Sequence, residues 1–273
     1  MGASMKRLIL AFSLLAAAAA PSFAQDDLGK LWAKIQPARG VYVLRQRGAD
    51  QGDSGVAISG RMVVEARFTC DEFISSLTMD LRTSGSGQTM AVKLEQKATE
   101  TRDGKIYRFS SVTSENGRET ERREGQAVLQ SRDGPGEAKI KGASSEDVKI
   151  EPGTILPGTH ILRMMQAAAG KKELDHRVFY GLDQMKITNA RVTVLGAGKS
   201  GKEKGLGEFA DKPGWTIKEE HTEIGGAPGA ASQSSEMFLT EDGVTTSITL
   251  AVQGLELVGT VLSIEKLPKP QCR

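Results

Sequence analysis

EFISSLTMDL, residues 72–81, alternates: Phe73, Leu77, Met79 and Leu81 share one face, and Ser76, Thr78 and Asp80 the other. A period of two belongs to a half-buried β-strand, because successive side chains leave opposite faces of the pleat. The same period recurs outward in both directions. RMVVEARF (61–68) comes before it, and QTMAVKLEQKATET (88–101) and GKIYRFSSVTS (104–114) after it. Further on lie KITNARVTVL (186–195), GWTIKEEHTEI (214–224), EMFLT (236–240), TTSITLAV (245–252) and LELVGTVLSIEKL (255–267). The turns between them are short and rich in glycine: SGSG, RDG, ENG, RDGPG, EDG and QG. Short turns let only neighbours pair. The pattern predicts an all-β protein of about thirteen strands, mostly antiparallel and up-and-down.

One stretch departs from it. In ILPGTHILRMMQAAAGKK (155–172), Ile161, Leu162, Met165 and Ala168 recur at helical spacing after Pro157. Gly170 reads as the C-cap, with Lys171 and Lys172 at the negative end of the dipole. The prediction is one central helix over residues 158–169, packed on a sheet or plugging its concave face. DLGKLWAKIQ (27–36) predicts a short N-terminal helix anchored by Trp32 and Ile35. Residues 196–214 and the stretch GGAPGAASQ (225–233) read as mobile loops.

The chain opens MGASMKRLILAFSLLAAAAAPSFA. Lys6 and Arg7, an uncharged run from Leu8 to Ala20, and small residues before position 25 form a secretory signal peptide pattern. The run is shorter than the ~20 residues that span a bilayer. Cleavage after Ala24 is expected, leaving residues 25–273 as a single domain without a transmembrane span. Without Lys6 and Arg7 the formal charge falls from +2 to 0. A neutral balance argues against a nucleic-acid binder or a polybasic membrane binder. Export also bears on the two cysteines, Cys70 and Cys272. In an oxidising compartment they most simply form one internal disulfide, with two free thiols or an intermolecular bridge as the alternatives.

The motifs of chemistry are incomplete. VLGAGKSGKEKG (194–205) has Gly198-Lys199-Ser200, but a phosphate-binding loop needs glycine where Thr193 stands. Gly85-Ser86-Gly87 joins two strands and opens no helix, as a nucleophile elbow would. His160, His176 and His221 lack the paired spacing of a metal site. His160 at the helix start reads as structural, and His176 and His221 as surface residues. ENGRETERREG (115–125) reads as a solvated strand whose charges block aggregation, and it could not face lipid in a membrane barrel. The expectation is a non-enzymatic protein with no cofactor and no metal.

QPARGVYVLRQ, SGRMVVEARFTC, ATETRDGKIYRF, EGQAVL, LPGTHILRMMQAAAGK and FLTEDGVTTSITLAVQGLELVGTVLSIEKLPKPQC together cover most of the chain after residue 24. In their order and their cysteine positions they resemble the EipB-like family of cell-envelope integrity proteins. The resemblance implies a periplasmic antiparallel β-spiral, or broken barrel, holding a helix, a shape similar to the half-barrels of lipoprotein carriers. It places the family's disulfide on Cys70 and Cys272. Pro157 and His160 match its helix-start motif, and Arg39, Tyr42 and Leu44 its first strand. Ala38 and Asp71-Glu72-Phe73 depart from its pattern. Leu162 and Met165 would then fill the curve of the sheet. The implied role is envelope support through a curved β surface that meets a periplasmic partner protein, one with helical repeats by family analogy. The alternative is a carrier or sensor of a lipid or lipopeptide in the concave apolar face.

Overall fold

The computed structural model describes residues 23–48, 56–85, 88–182, 186–224, 233–252 and 255–272. Helix α1 (Phe23–Lys34) leads into β1 (Ala38–Gln46), β2 (Val56–Phe68), β3 (Glu72–Gly85) and β4 (Gln88–Thr101). Then come β5 (Ile106–Glu115), β6 (Arg118–Leu129), β7 (Gly136–Lys141), β8 (Ser145–Ile150) and β9 (Thr154–Ile155). After α2 (Pro157–Gly170) follow β10 (Leu174–Phe179), β11 (Ile187–Lys199), β12 (Pro213–Glu223), β13 (Gln233–Thr240), β14 (Thr245–Val252) and β15 (Leu255–Lys266).

All fifteen strands form one sheet, in the order β8 to β1 and then β15 down to β9. The chain lays down two meanders. The first runs outward from β1, and the second runs back until β15 adds to β1 through antiparallel pairs from Ala38↔Lys266 to Gln46↔Leu257. The free ends of the sheet, β8 and β9, are therefore neighbours in sequence, joined by a turn with Gly153 at φ +83°. The winding is a nearly closed spiral. Between its ends there is covalent chain, an apolar cluster with Ile150, Leu156 and Phe179, and a 2.6 Å ion pair from Lys186 to Glu146. Every pairing is antiparallel except β9 with β10. That pair needs a crossover, and α2 is the crossover.

The predicted fold class holds, and among the described residues the count rises from about thirteen to fifteen strands. The two-residue β9 is too short to show alternation. Three local readings change. Gly170 stays helical, and Lys171 takes the left-handed position (φ 52°), its N–H bonded to Ala168 O. The expected loop at 196–214 is mostly ordered. Its start pairs with β12, and a 3-10 turn (Lys204–Phe209) buries Leu206 and Phe209 against Ala38, Val244 and Ile264. Helix α1 begins at Phe23, ahead of the expected start at Asp27. Except for Phe23 and Ala24, the expected signal segment lies outside the described residues, as does the expected loop at 225–232.

Cys70, in the β2–β3 turn, is bonded to Cys272 across 202 residues of sequence. Closing such a loop is worth about 5 kcal/mol in the chain-entropy treatment, with measured values lower. The tail it holds is threaded along α1. Leu267 N–H donates to Pro37 O, Gln36 Nε2 donates to Leu267 O, and Lys269 Nζ reaches Lys34 O at 3.1 Å. Trp32 of α1 donates to Thr69 O and packs edge-on to Phe68 at 4.9 Å. Tail, helix and turn thus form one clasp at one end of the spiral.

Candidate functional site

Strand register defines the concave face. Phe73, Leu77, Met79 and Leu81 of β3 point inward, level with Glu100, Gln96, Leu94 and Val92 of β4. Trp215, Ile217, Glu219 and His221 of β12 point inward, level with Leu239, Met237, Ser235 and Gln233 of β13. Against this face lies α2. Leu162 and Met165, each 1% exposed, pack among Leu28, Trp32, Phe68, Phe73, Ile217 and Leu239. Burying each is worth about 2–3 kcal/mol. Pro157 opens the helix, where its missing N–H goes unneeded.

The first turn of α2 is held by a carboxyl group from the sheet. Leu156, before it, offers no side-chain cap. Glu100 of β4 supplies one. Its carboxylate accepts from Gly158 N (2.5 Å), Thr159 N (2.8 Å) and Thr159 Oγ1 (2.6 Å). Orphan N–H groups and the positive dipole end make a helix start receptive to an anion. Gly158 permits the approach, since a Cβ there would lie 2.9 Å from Glu100 Oε2 and 2.8 Å from Phe73 Cδ1. Burial pushes the Glu100 carboxyl up to about 7, against the downward pull of those hydrogen bonds and of Arg132.

At the next residue, His160, all three histidines meet. His160 Nε2 donates to Glu219 Oε1 at 2.5 Å, and His221 Nε2 donates to the same oxygen at 2.9 Å. His160 Nδ1 and His176 Nε2 share a proton at 2.8 Å. His221 Nδ1 meets Thr188 Oγ1 at 3.1 Å. Burial alone would raise the Glu219 carboxyl. The charge and hydrogen bonds of His160 and His221 outweigh it and hold the group well below the ordinary carboxylate range. Burial, then the charge of His160, pushes the His176 imidazole down to about 3, so that ring is neutral at physiological pH. Both His160 nitrogens and the Glu219 carboxylate are engaged within this cluster, whereas the buried Nδ1 of His176 has no hydrogen-bond partner. Among the described residues no set of three such side chains is arranged to hold a metal ion.

Sequence reasoning placed His160, which lies in the first turn of α2, near the helix start. It placed His176 and His221 wrongly at the surface: His221 is buried, and His176 is half-buried on the concave face. It missed Glu100 and Glu219 altogether. The signal was present. Both carboxylates stand in phase with apolar residues, Glu100 with Leu94 and Ala98, and Glu219 with Trp215 and Ile217. A charge on the buried phase of a strand requires a buried partner.

Beyond α2 the concave face is barer. Around Tyr42, Leu44 and Met62 lie the half-buried Leu77, Met79, Leu81, Ile248 and Leu250. Near Pro157 a cavity of about 190 Å³ lies against Val64, Leu77, Tyr107, Phe109 and Tyr180. Pockets that enclose drug-sized ligands run to about 300–1,000 Å³.

These features define a class: an antiparallel β-spiral whose crossover helix fills part of its own concave face. The EipB-like family model matches residues 31–268, and the chain belongs to that family. It is also similar to the crystal structure of a beta-barrel-like protein of domain of unknown function DUF1849 from Brucella abortus. That likeness has a TM-score of 0.78 at 19% identity and covers 86% of this chain and 99% of the other. At that identity it speaks for the fold alone. No curated protein matches the chain.

Proposed function

We propose that the protein is a non-enzymatic periplasmic component that supports the cell envelope by presenting its curved β surface to a partner protein. One observation carries this reading: the crossover helix occupies the concave face with buried Leu162 and Met165, where a carrier would keep room for its cargo. The polar groups beneath α2 point the same way. Glu100, His160 and Glu219 are engaged in holding the helix. Oxidising surroundings suit the Cys70–Cys272 bridge. A helical-repeat partner comes from the family resemblance alone. The test is a deletion strain challenged with detergent. Sensitivity rescued by the wild-type gene supports the reading, and unchanged resistance overturns it.

A second reading, a carrier or sensor of a lipid or lipopeptide, is favoured by the half-buried Leu77, Met79, Leu81, Ile248 and Leu250. Mass spectrometry of the native protein separates the two. A lipid retained at one per chain favours the carrier, and a mass of polypeptide alone favours the scaffold.

A further inference from the structure

The outer face of β3–β7 carries a hollow of about 600 Å³ whose charge is one-sided. Lys97, Arg108, Lys139 and Lys141 line it, against the single carboxylate of Glu124. All five alternate with buried inward residues such as Phe109, Ala138 and Ile140, so they project outward. Arg108 is already engaged, with Gln126 at 3.1 Å and Glu72 at 3.8 Å. Among the described residues, Lys97, Lys139 and Lys141 have no carboxylate within ion-pairing distance. Glu124 stands opposite Lys141 in the ladder, and Asp147 opposite Lys139, yet neither closes a pair. Between the cations lie the hydroxyls of Ser76, Thr99 and Ser110 and the apolar side chain of Ile74.

The adjoining groove on the same sheet shows what a balanced surface looks like here. It is of similar size, about 740 Å³. There Asp80 sits in register between Arg61 and Lys93, and Lys93 pairs with Glu95 at 3.0 Å. Lysines that only guard a sheet edge belong on the edge strand. Lys97 is on β4, four strands in from β8.

We propose that this hollow docks an acidic polypeptide segment of a partner protein, its carboxylates on Lys97, Lys139 and Lys141 and an apolar side chain on Ile74. An exposed cation without a partner is free to steer and pair an incoming anion. A concave floor lined with hydroxyls accepts a chain, whereas a flat anionic bilayer would rest on its rim. The inference rests on the protein-interaction reading above and names the surface and the chemistry of the partner.

The test uses the disulfide-intact chain from residue 25 and a labelled twelve-residue peptide, three repeats of Glu-Leu-Glu-Ser. A second peptide has Gln for Glu, and vesicles containing phosphatidylglycerol form the third arm. Expected is saturable, salt-sensitive binding of the Glu peptide and at least tenfold weaker binding of the Gln peptide. The K97E/K139E/K141E variant should lose at least tenfold, K97Q/K139Q/K141Q somewhat less, and K93E should stay within twofold of wild type. Thermal melting confirms that each variant folds. No peptide binding, equal binding by the triple variants, or binding to vesicles in place of peptide overturns the proposal. In the deletion strain, K97E/K139E/K141E should fail to restore detergent resistance. If wild type and this variant both restore it, the surface is wrong and the interaction reading stands. If the deletion has no phenotype, the interaction reading itself fails.

Discussion

The two halves of the concave face are made of similar residues and end in different states. Around α2, Leu, Met and Phe side chains are almost fully removed from water, and the helix start is fixed by two buried carboxylates. Around Met79, Leu81 and Ile248 the same kinds of side chain stay half-buried, and among the described residues no helix side chain joins their cluster. Apolar character alone therefore does not decide what fills a curved sheet. The difference lies in where the crossover between β9 and β10 must run, and in the polar groups placed to receive it.

The largest expected effect breaks the filled half through its charges. Glu219→Ala leaves His160 and His221 without their shared acceptor. It should cost about 3–5 kcal/mol, read as a drop in urea midpoint. Replacing both cysteines by serine should cost about 2–5 kcal/mol, since it frees the tail that runs along α1. Apolar truncation sharpens the comparison directly. Leu162→Ala should cost about 2–5 kcal/mol, whereas Leu81→Ala on the bare half should cost no more than about 1 kcal/mol.

Titration gives a subtler contrast. The Glu100 pKa rises on folding from 4.5 to about 7, so the folded state holds the proton more tightly. Its contribution to stability is full below 4.5 and is lost as pH rises through about 7. His176 falls from 6.5 to about 3 and works in the other direction, with stability lost as pH drops below 6.5. Urea midpoints across pH 5 to 8 should therefore flatten on the alkaline side in Glu100→Gln while the acid-side loss remains. An unchanged alkaline slope would remove Glu100 from the account. Smallest of all, Lys186→Ala cuts a half-buried ion pair between the sheet ends and should cost about 1 kcal/mol by the same measurement.

How much of this was legible follows from what each signal encodes. Strand alternation reports which side chains share a face, so Phe73 to Leu81 revealed the sheet and Leu162 with Met165 revealed the helix that covers it. Alternation is silent on which strands meet across the spiral. Nothing in β4 alone says that Glu100 will meet Gly158, 58 residues on. His160, His176, Glu219 and His221 lie on three elements and come together only once β10, β11 and β12 are in register. The Cys70–Cys272 bridge was readable because redox chemistry and the family resemblance act on sequence directly. The basic hollow on β3–β7 stayed hidden because its lysines lie on different strands, Lys97 on β4 and Lys139 with Lys141 on β7, and only pairing gathers them.

Helix α2 is a fixed occupant of the sheet. Hydrogen exchange of the native protein reads this amide by amide. Residues 162–168 should exchange only through global unfolding, with protection equal to that of the inner strands β11 and β12. Exchange of those amides at low free energy, while β11 and β12 stay protected, would mean that the helix swings out, and it would contradict the account.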